Sequence, residues 1–325
     1  MILTRTPLRV SLFGGGSDLP SYYNENVGKV LSFTIDKYMY IALCRTALQG
    51  IKVVYNEVEQ AANLEDVKHS RVRECLRDFD IHSHIEISSF CEIPTKGTGL
   101  GSSSTFTVGL INALSELKGI SLNKSDIARN ACFIEMQMCN EPIGKQDQYA
   151  AAYGGCNIFE FNPNDHVTAI NPGFERTVLT NLNKNLMMFY TGISRNASDI
   201  LGIQSSSTNS NLLLLSNMVG MVDKAKNFLL KGDVDSIGAM LDEGWQLKKQ
   251  LAYNVSNDLI DIQYKKAIQA GALGGKILGA GGGGYWLFYV PNERQDAVRR
   301  AMGNLQEFNF NFEDTGTTVL YNESK

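Results

Sequence analysis

Gly97-Thr98-Gly99-Leu100-Gly101-Ser102-Ser103-Ser104 is the stretch from which the rest of the chain is best read. It follows Pro94-Thr95-Lys96 and runs into a helical pattern, with apolar residues at Phe106, Leu110, Ile111, Leu114 and Leu117 and a stop at Gly119. Glycines let a backbone approach a ligand closely and adopt positive φ. The first turn of the helix behind them presents unpaired N–H groups and the positive end of a dipole, which suits an anion such as a triphosphate. The three serine hydroxyls can cap the helix, bind phosphate oxygens or reach a magnesium ion. The Gly-x4-Gly-Lys-Ser/Thr pattern is absent, because Lys96 precedes the glycines. Taken alone, the spacing leaves two readings open, a phosphate cradle and an ordinary capped helix after a flexible loop.

On the C-terminal side, a second helix is predicted over about 125–138, with Ile127, Ala131, Ile134 and Met138 as its stripe and Pro142 as its stop. Glu135 lies near its end. Asp147 follows in Gly144-Lys145-Gln146-Asp147-Gln148, read as a loop, with a short helix over 149–153. Phosphoryl transfer uses one carboxylate to hold Mg²⁺ and often another to accept the proton of the acceptor hydroxyl. A helix acid and a loop acid can do this from two directions, although two solvated surface acids would space the same way. On the N-terminal side, Arg9 interrupts the apolar strand Leu8-Arg9-Val10-Ser11-Leu12-Phe13. A buried arginine needs a partner, so Arg9 either faces an acid such as Asp147, faces phosphate, or lies on an edge strand in water.

Strands are predicted over 30–35, 39–43, 51–55 and 84–89, and a helix over 67–79. Residues 156–192 return to strand patterns and about 195–270 is mostly helical, with a polar loop at 205–211. A second glycine cluster, Gly279-Ala280-Gly281-Gly282-Gly283-Gly284, feeds a strand at 285–290, and a helix near 292–304 and a strand near 317–321 follow. With 325 residues the chain is long enough for about two domains. A net charge of −4 without a basic run argues against nucleic acid as a partner. The six cysteines form no Cys-x-x-Cys pair and read as reduced thiols. No N-terminal signal core and no membrane span is visible, so a cytoplasmic location is expected. His82-Ser83-His84 lacks a third metal ligand.

Three segments in order carry a resemblance: Pro7 to Asp18 with Phe13-Gly14-Gly15-Gly16-Ser17-Asp18, the 94–104 loop, and Lys276-Ile277-Leu278 with the second glycine cluster. Together they resemble the signature motifs of the GHMP kinases, and the likeness covers essentially the whole chain. The resemblance implies a two-domain α+β (α/β) fold: a ribosomal-S5-like N-terminal domain with a left-handed βαβ unit over 1–170 and a ferredoxin-like C-terminal domain over 171–325. It implies ATP and Mg²⁺, with nucleotide held by Gly97, Thr98, Gly99, Leu100, Gly101, Ser102, Ser103 and Ser104. Ser103 and Glu135 match the magnesium-contacting positions, Asp147 the catalytic aspartate, and Arg9 the cation beside it.

The run Phe13-Gly14-Gly15-Gly16-Ser17-Asp18-Leu19-Pro20-Ser21-Tyr22-Tyr23 with Tyr190-Thr191-Gly192-Ile193-Ser194-Arg195 resembles the branch that phosphorylates the anomeric hydroxyl of D-glycero-D-manno-heptose 7-phosphate. L-fucokinase domains share part of it, and galactokinases carry Glu-His in place of Gly15-Gly16. On this resemblance Gly15, Gly16, Ser17, Asp18, Gly192, Arg195, Gly281 and Gly282 are expected at the substrate. Arg195, Lys37, Arg45 and Lys145 are candidate partners of its phosphate. The partners are then a sugar phosphate and ATP, with no membrane and a possible second copy in a homodimer. Two other classes stay in view: a non-catalytic sugar-phosphate or nucleotide sensor, and a dinucleotide-dependent oxidoreductase, for which the early glycine cluster lacks Gly-x-Gly-x-x-Gly.

Overall fold

The computed structural model describes residues 1–93, 97–194 and 197–323, except the side chains of 197–199 and 209. Two sheets organise these residues. The larger contains β1 (Ile2–Phe13), β2 (Gly28–Arg45), β3 (Ile51–Val54), β4 (Val58–Ala61), β5 (Ile85–Cys91), β6 (Cys156–Phe161), β7 (Val167–Ile170) and β11 (Thr318–Asn322). Its path runs β11-β1-β2-β5-β3-β4, with β6 on the far part of β2 and β7 beside β6. The smaller contains β8 (Leu186–Tyr190), β9 (Gly274–Ile277) and β10 (Tyr285–Tyr289), antiparallel in the order β8-β10-β9. β3 runs parallel to β5, Ile51 opposite Ile85, and β4 and α2 (Ser70–Asp78) lie in the connection. Between β1 and β5 the chain also forms α1 (Pro20–Tyr23).

The strands predicted at 30–35 and 39–43 are one 18-residue strand, β2, which pairs with β5 along one half and with β6 along the other. The polar stretch at 205–211 is not a plain loop. It holds the end of α7 (Ala197–Ser206) and a 3₁₀ turn, Asn209–Asn211. The division expected at 170 is crossed by the last strand, because β11 returns to pair with the start of β1, Ile2 opposite Asn322.

β1 shows how the two halves meet. From Ile2 to Thr6 buried and half-buried residues alternate, as on a one-faced strand, whereas Thr6 to Phe13 are all buried. The change has a cause. Leu8, Val10 and Leu12 share one apolar core with Met188, Leu278, Tyr285 and Leu287 of the C-terminal half, so the second half of β1 is covered on both faces.

Behind the glycine loop stands α3 (Ser102–Lys118), apolar around most of its circumference and buried between the large sheet, α4 (Lys124–Phe133) and α5 (Gln146–Tyr153). Thr4 Oγ1 donates to Gly109 O at 3.0 Å, fixing α3 against β1. The remaining helices are α6 (Arg176–Lys184), α8 (Leu212–Leu230), α9 (Asp235–Leu251), α10 (Asp258–Gln269) and α11 (Gln295–Met302). Among the described residues no helix is long and apolar enough to cross a membrane.

Candidate active site

A cleft of about 1260 Å³ opens where the end of β1, the start of α3, the start of α5 and the 279–284 turn converge. Single-ligand pockets run roughly 300–1,000 Å³, so this one has room for two substrates side by side. Gly97, Thr98, Gly99, Gly101, Ser102, Ser103 and Ser104 line it. Leu100 does not. Its side chain is fully buried and its carbonyl takes the backbone N–H of Arg9 at 3.1 Å, so it ties the loop to β1.

The second glycine cluster is the loop's support. A Cβ on Gly99 would stand 2.2 Å from Leu278 O, and one on Gly279 would stand 2.5 Å from Gly99 Cα, so neither position tolerates a side chain. Gly279 and Ala280 face the cleft. Gly281 and Gly282, expected at the substrate, instead pack on the loop after α9, with Gly282 N–H donating to Val255 O at 2.7 Å. Gly192 lies just past β8 and outside the cleft wall, where Ser194 stands in its place.

Arg9 and Asp147, 138 residues apart, meet in a fork: Nε donates to Oδ1 at 2.7 Å and Nη2 to Oδ2 at 2.8 Å. The remaining arm, Nη1, donates to Gly99 O at 2.6 Å. Arg9 is 4% exposed, so this is a buried two-point pair rather than a surface contact. Asp147 sits in the first turn of α5, not on a loop as predicted. The negative end of its side chain therefore stands near a helix N-terminus.

Asp18 lies beside it, accepting from Gly16 N–H at 3.0 Å and Gln146 N–H at 3.3 Å. Burial, together with the charge of Asp147, pushes the Asp18 carboxyl up against those backbone donors. Gly144 makes the approach possible, since a Cβ there would sit 2.0 Å from Asp18 Oδ2. Gly15 and Gly16 line the same end of the cleft. Ser17, expected there too, does not line the cleft: it is fully buried, donates to Gly14 O at 2.7 Å, and accepts from Lys29 N–H at 3.0 Å, closing the turn.

The second helix changes pitch around Glu135. α4 ends at Phe133 and a π-helical turn spans Ile134–Met138, a distortion common at functional sites. Glu135, fully buried, accepts from Ser104 Oγ at 2.7 Å, Thr107 Oγ1 at 2.5 Å and Gln148 Nε2 at 2.5 Å. Arg71 Nε stands 3.1 Å from it and also pairs with Glu141. Burial raises the Glu141 carboxyl, and Arg71 opposes the rise. The serine touching Glu135 is thus Ser104, while Ser103 is exposed at the helix start.

Sequence reasoning missed several lining residues. Gln146 lines the cleft with a buried Nε2 that has no hydrogen-bond partner, as does the buried Oγ1 of Thr98, a residue already expected at the nucleotide. Lys248 holds the carbonyls of Ile277 and Gly279, Lys276 reaches β1, and Tyr55, His69 and Phe106 form an aromatic wall. Of the cations proposed for a substrate phosphate, Arg195 lies outside the described residues. Lys37 pairs with Asp36, and neither it nor Arg45 lines the cleft. Lys145 is committed to Asp165 and stacked over the Tyr23 ring at 4.7 Å.

A nucleotide fits this geometry on two observations: the partnerless Thr98 hydroxyl in the loop, and the first turn of α3, whose N-cap residue Gly101 offers no capping side chain. The oxygen donors of Ser103 and Glu135 are of the hard kind magnesium takes.

Comparison with known proteins agrees with the geometry. Residues 57–155 match the GHMP kinases N terminal domain and residues 225–307 the GHMP kinases C terminal domain. The D-glycero-alpha-D-manno-heptose 7-phosphate kinase of Campylobacter jejuni is 31% identical over 95% of this chain and 96% of its own. A crystal structure described as a D-glycero-D-manno-heptose 1-phosphate kinase from Bacteroides thetaiotaomicron superposes with a TM-score of 0.81, at 28% identity, covering 99% of each chain. The L-fucokinase/L-fucose-1-P guanylyltransferase of Bacteroides fragilis is 25% identical over 91% of this chain but only 35% of its own. With paired domain matches and a full-length relative above 30% identity, the chain belongs to the GHMP kinase family.

Proposed function

We propose that this sugar kinase transfers the terminal phosphoryl group of ATP to the anomeric hydroxyl of a sugar phosphate, D-glycero-D-manno-heptose 7-phosphate, giving the 1,7-bisphosphate. The observation that carries the reading is the three-armed contact of Arg9. Two arms hold the Asp147 carboxylate and the third holds Gly99 O, so the acid that would take the hydroxyl proton is fixed to the loop that would hold the phosphates. Phosphoryl transfer needs positioning and charge stabilisation more than covalent chemistry, and this contact supplies positioning directly.

Within the cleft, Asp147 accepts the proton of the sugar hydroxyl as transfer proceeds. Asp18 and the partnerless Nε2 of Gln146 orient the sugar, one accepting and the other donating. The N–H groups at the start of α3 and the Thr98 hydroxyl receive the phosphate oxygens. Ser103 and Glu135 would hold Mg²⁺, which supplies neutralisation of charge on the phosphates when bound. The heptose assignment rests on the names of the relatives, which both specify a D-glycero-D-manno-heptose but differ in the position of its phosphate.

A substrate panel with Mg-ATP tests the reading. Turnover of the heptose 7-phosphate should exceed that of the unphosphorylated heptose, L-fucose and D-galactose. Equal or faster reaction with an unphosphorylated sugar would remove the 7-phosphate from the account, and faster reaction with L-fucose would move the protein to the fucokinase branch.

A further inference from the structure

Four cationic side chains line the cleft: Arg9, Arg71, Lys248 and Lys276. Arg9 is neutralised by Asp147, and Arg71 by Glu135 and Glu141. Lys248, on α9, holds the carbonyls of Ile277 and Gly279. Lys276 differs. Its ammonium nitrogen donates to Leu12 O at 2.8 Å, the side chain is 7% exposed, and among the described residues no carboxylate stands within ion-pair distance. The charged group that bears on it is the guanidinium of Arg9, which repels it. Lysines are almost never this buried without an acid, and an uncompensated buried charge is costly. This one reaches Leu12, just before the Gly14–Gly16 turn, from a strand that leads on into Gly279, which packs against Gly99 of the glycine loop.

We propose that Lys276 is a phosphate ligand of this cleft, its missing counter-ion being the terminal phosphate of the bound nucleoside triphosphate. The inference rests on the nucleotide-dependent reading above and adds a residue to it. The nucleotide is favoured over the sugar as the source of the anion because Lys276 neighbours Arg9, whose third arm holds the phosphate loop. Burial, and secondarily Arg9, push the Lys276 amine down to about 7. In the ligand-free protein at pH 8 it is therefore mostly neutral, and an arriving dianionic phosphate raises it again. Ligand binding then draws one proton from solvent onto Nζ, a signature that a purely structural bolt between β9 and β1 would not give.

The test is calorimetric titration of the full chain at about pH 8 with magnesium adenylyl imidodiphosphate, repeated in two buffers of different ionisation enthalpy. Wild-type protein should take up close to one proton per site more than Lys276→Met, given an amine near 7. Lys276→Met should bind about 10–100-fold more weakly, the usual worth of a hydrogen bond to a charged group. Lys276→Arg, permanently charged, should recover affinity without the extra proton uptake, and it keeps the comparison available if the methionine variant does not fold. Magnesium ADP, lacking the terminal phosphate, should show no such uptake. Wild-type and Lys276→Arg proteins with equal proton uptake would overturn the proposal. Uptake on adding heptose 7-phosphate alone, and none with the nucleotide analogue, would overturn the assignment to the nucleotide. Nucleotide binding with the expected uptake but no transfer to any sugar would instead sink the proposed reaction and leave Lys276 where it is.

Discussion

The Glu135 cluster, buried behind the cleft, and Lys276, on the cleft wall, are built on opposite principles. Around Glu135 the chain provides its own compensation: two hydroxyls, an amide and Arg71 converge on one fully buried carboxylate, and Glu141 shares the guanidinium. Around Lys276 the chain provides one carbonyl and a neighbouring positive charge. The fork between Arg9 and Asp147 stands between these extremes, internally balanced yet reaching Gly99 with its last arm. The contrast teaches where to expect structure and where to expect ligand. A self-compensated cluster is stable without any ligand, whereas an uncompensated one costs stability until an anion joins it.

The largest expected effect separates the balanced fork from its surroundings. Asp147→Asn should lower kcat by about 10²–10⁴-fold, the range of a lost general base, and should also lower the melting temperature, because it leaves the buried Arg9 without its counter-charge. Steady-state kinetics beside a melting curve checks both halves, and near-wild-type turnover would remove Asp147 from the chemistry. Next comes the self-compensated side. Arg71→Met leaves the fully buried Glu135 without its counter-charge, and a loss of about 3–5 kcal/mol of stability is expected. Urea denaturation at neutral pH measures it, and an unchanged midpoint would show that the hydroxyls and Gln148 suffice.

Gly144→Ala sharpens the sugar end. The added methyl would sit 2.0 Å from Asp18 Oδ2, so the carboxylate must move. We expect the KM for the sugar to rise about tenfold or more, since small misplacements at an active site are costly, with the KM for ATP unchanged. A parallel rise in both would mean that Asp18 serves the whole cleft.

The smallest effect is a pH dependence of stability. Lys276 sits near 7 in the folded, ligand-free protein against an ordinary value of 10.5. Between these pH values the unfolded chain binds more protons at this group than the native one, so stability rises with pH across that window. Lys276→Met should therefore hold its greatest advantage at pH 7 and below, and lose it steadily toward pH 10. Melting temperatures of both proteins across pH 6–10 give the comparison, and a constant difference would show that the buried amine keeps its charge throughout.

How much of this was legible in the sequence follows from how local each feature is. The phosphate loop and α3 are contiguous, so glycines, serines and helical periodicity marked them directly; α3 ends at Gly119 as read, but it already starts at Ser102, inside the stretch read as loop. Arg9 was legible as an anomaly, a charge in an apolar strand, and the structure gives it the acid partner that such burial requires. The placement of Asp147 was less so. Gly144 and Pro142 disguise the entry to α5, whose first turn is held from outside by Asp18 accepting the Gln146 N–H. Lys276, quoted only as part of its motif, and Lys248 were given no role, because nothing local in a sequence announces that a β-strand lysine will be covered by β1 or that a helix lysine will reach two carbonyls of another segment. Gly281 and Gly282 erred the other way. Their motif is contiguous, but which of its glycines faces the cleft depends on Val255, supplied by the loop after α9.

The most direct test of the account is to incubate the protein with Mg-ATP and D-glycero-D-manno-heptose 7-phosphate and to follow phosphorus and proton NMR of the product. A new phosphorus resonance coupled to the anomeric proton is the result the proposed reaction predicts, and its absence with Asp147→Asn is what the geometry of Arg9, Asp147 and Gly99 predicts. A new phosphate on any other carbon, or ATP left intact beside the sugar, would contradict it.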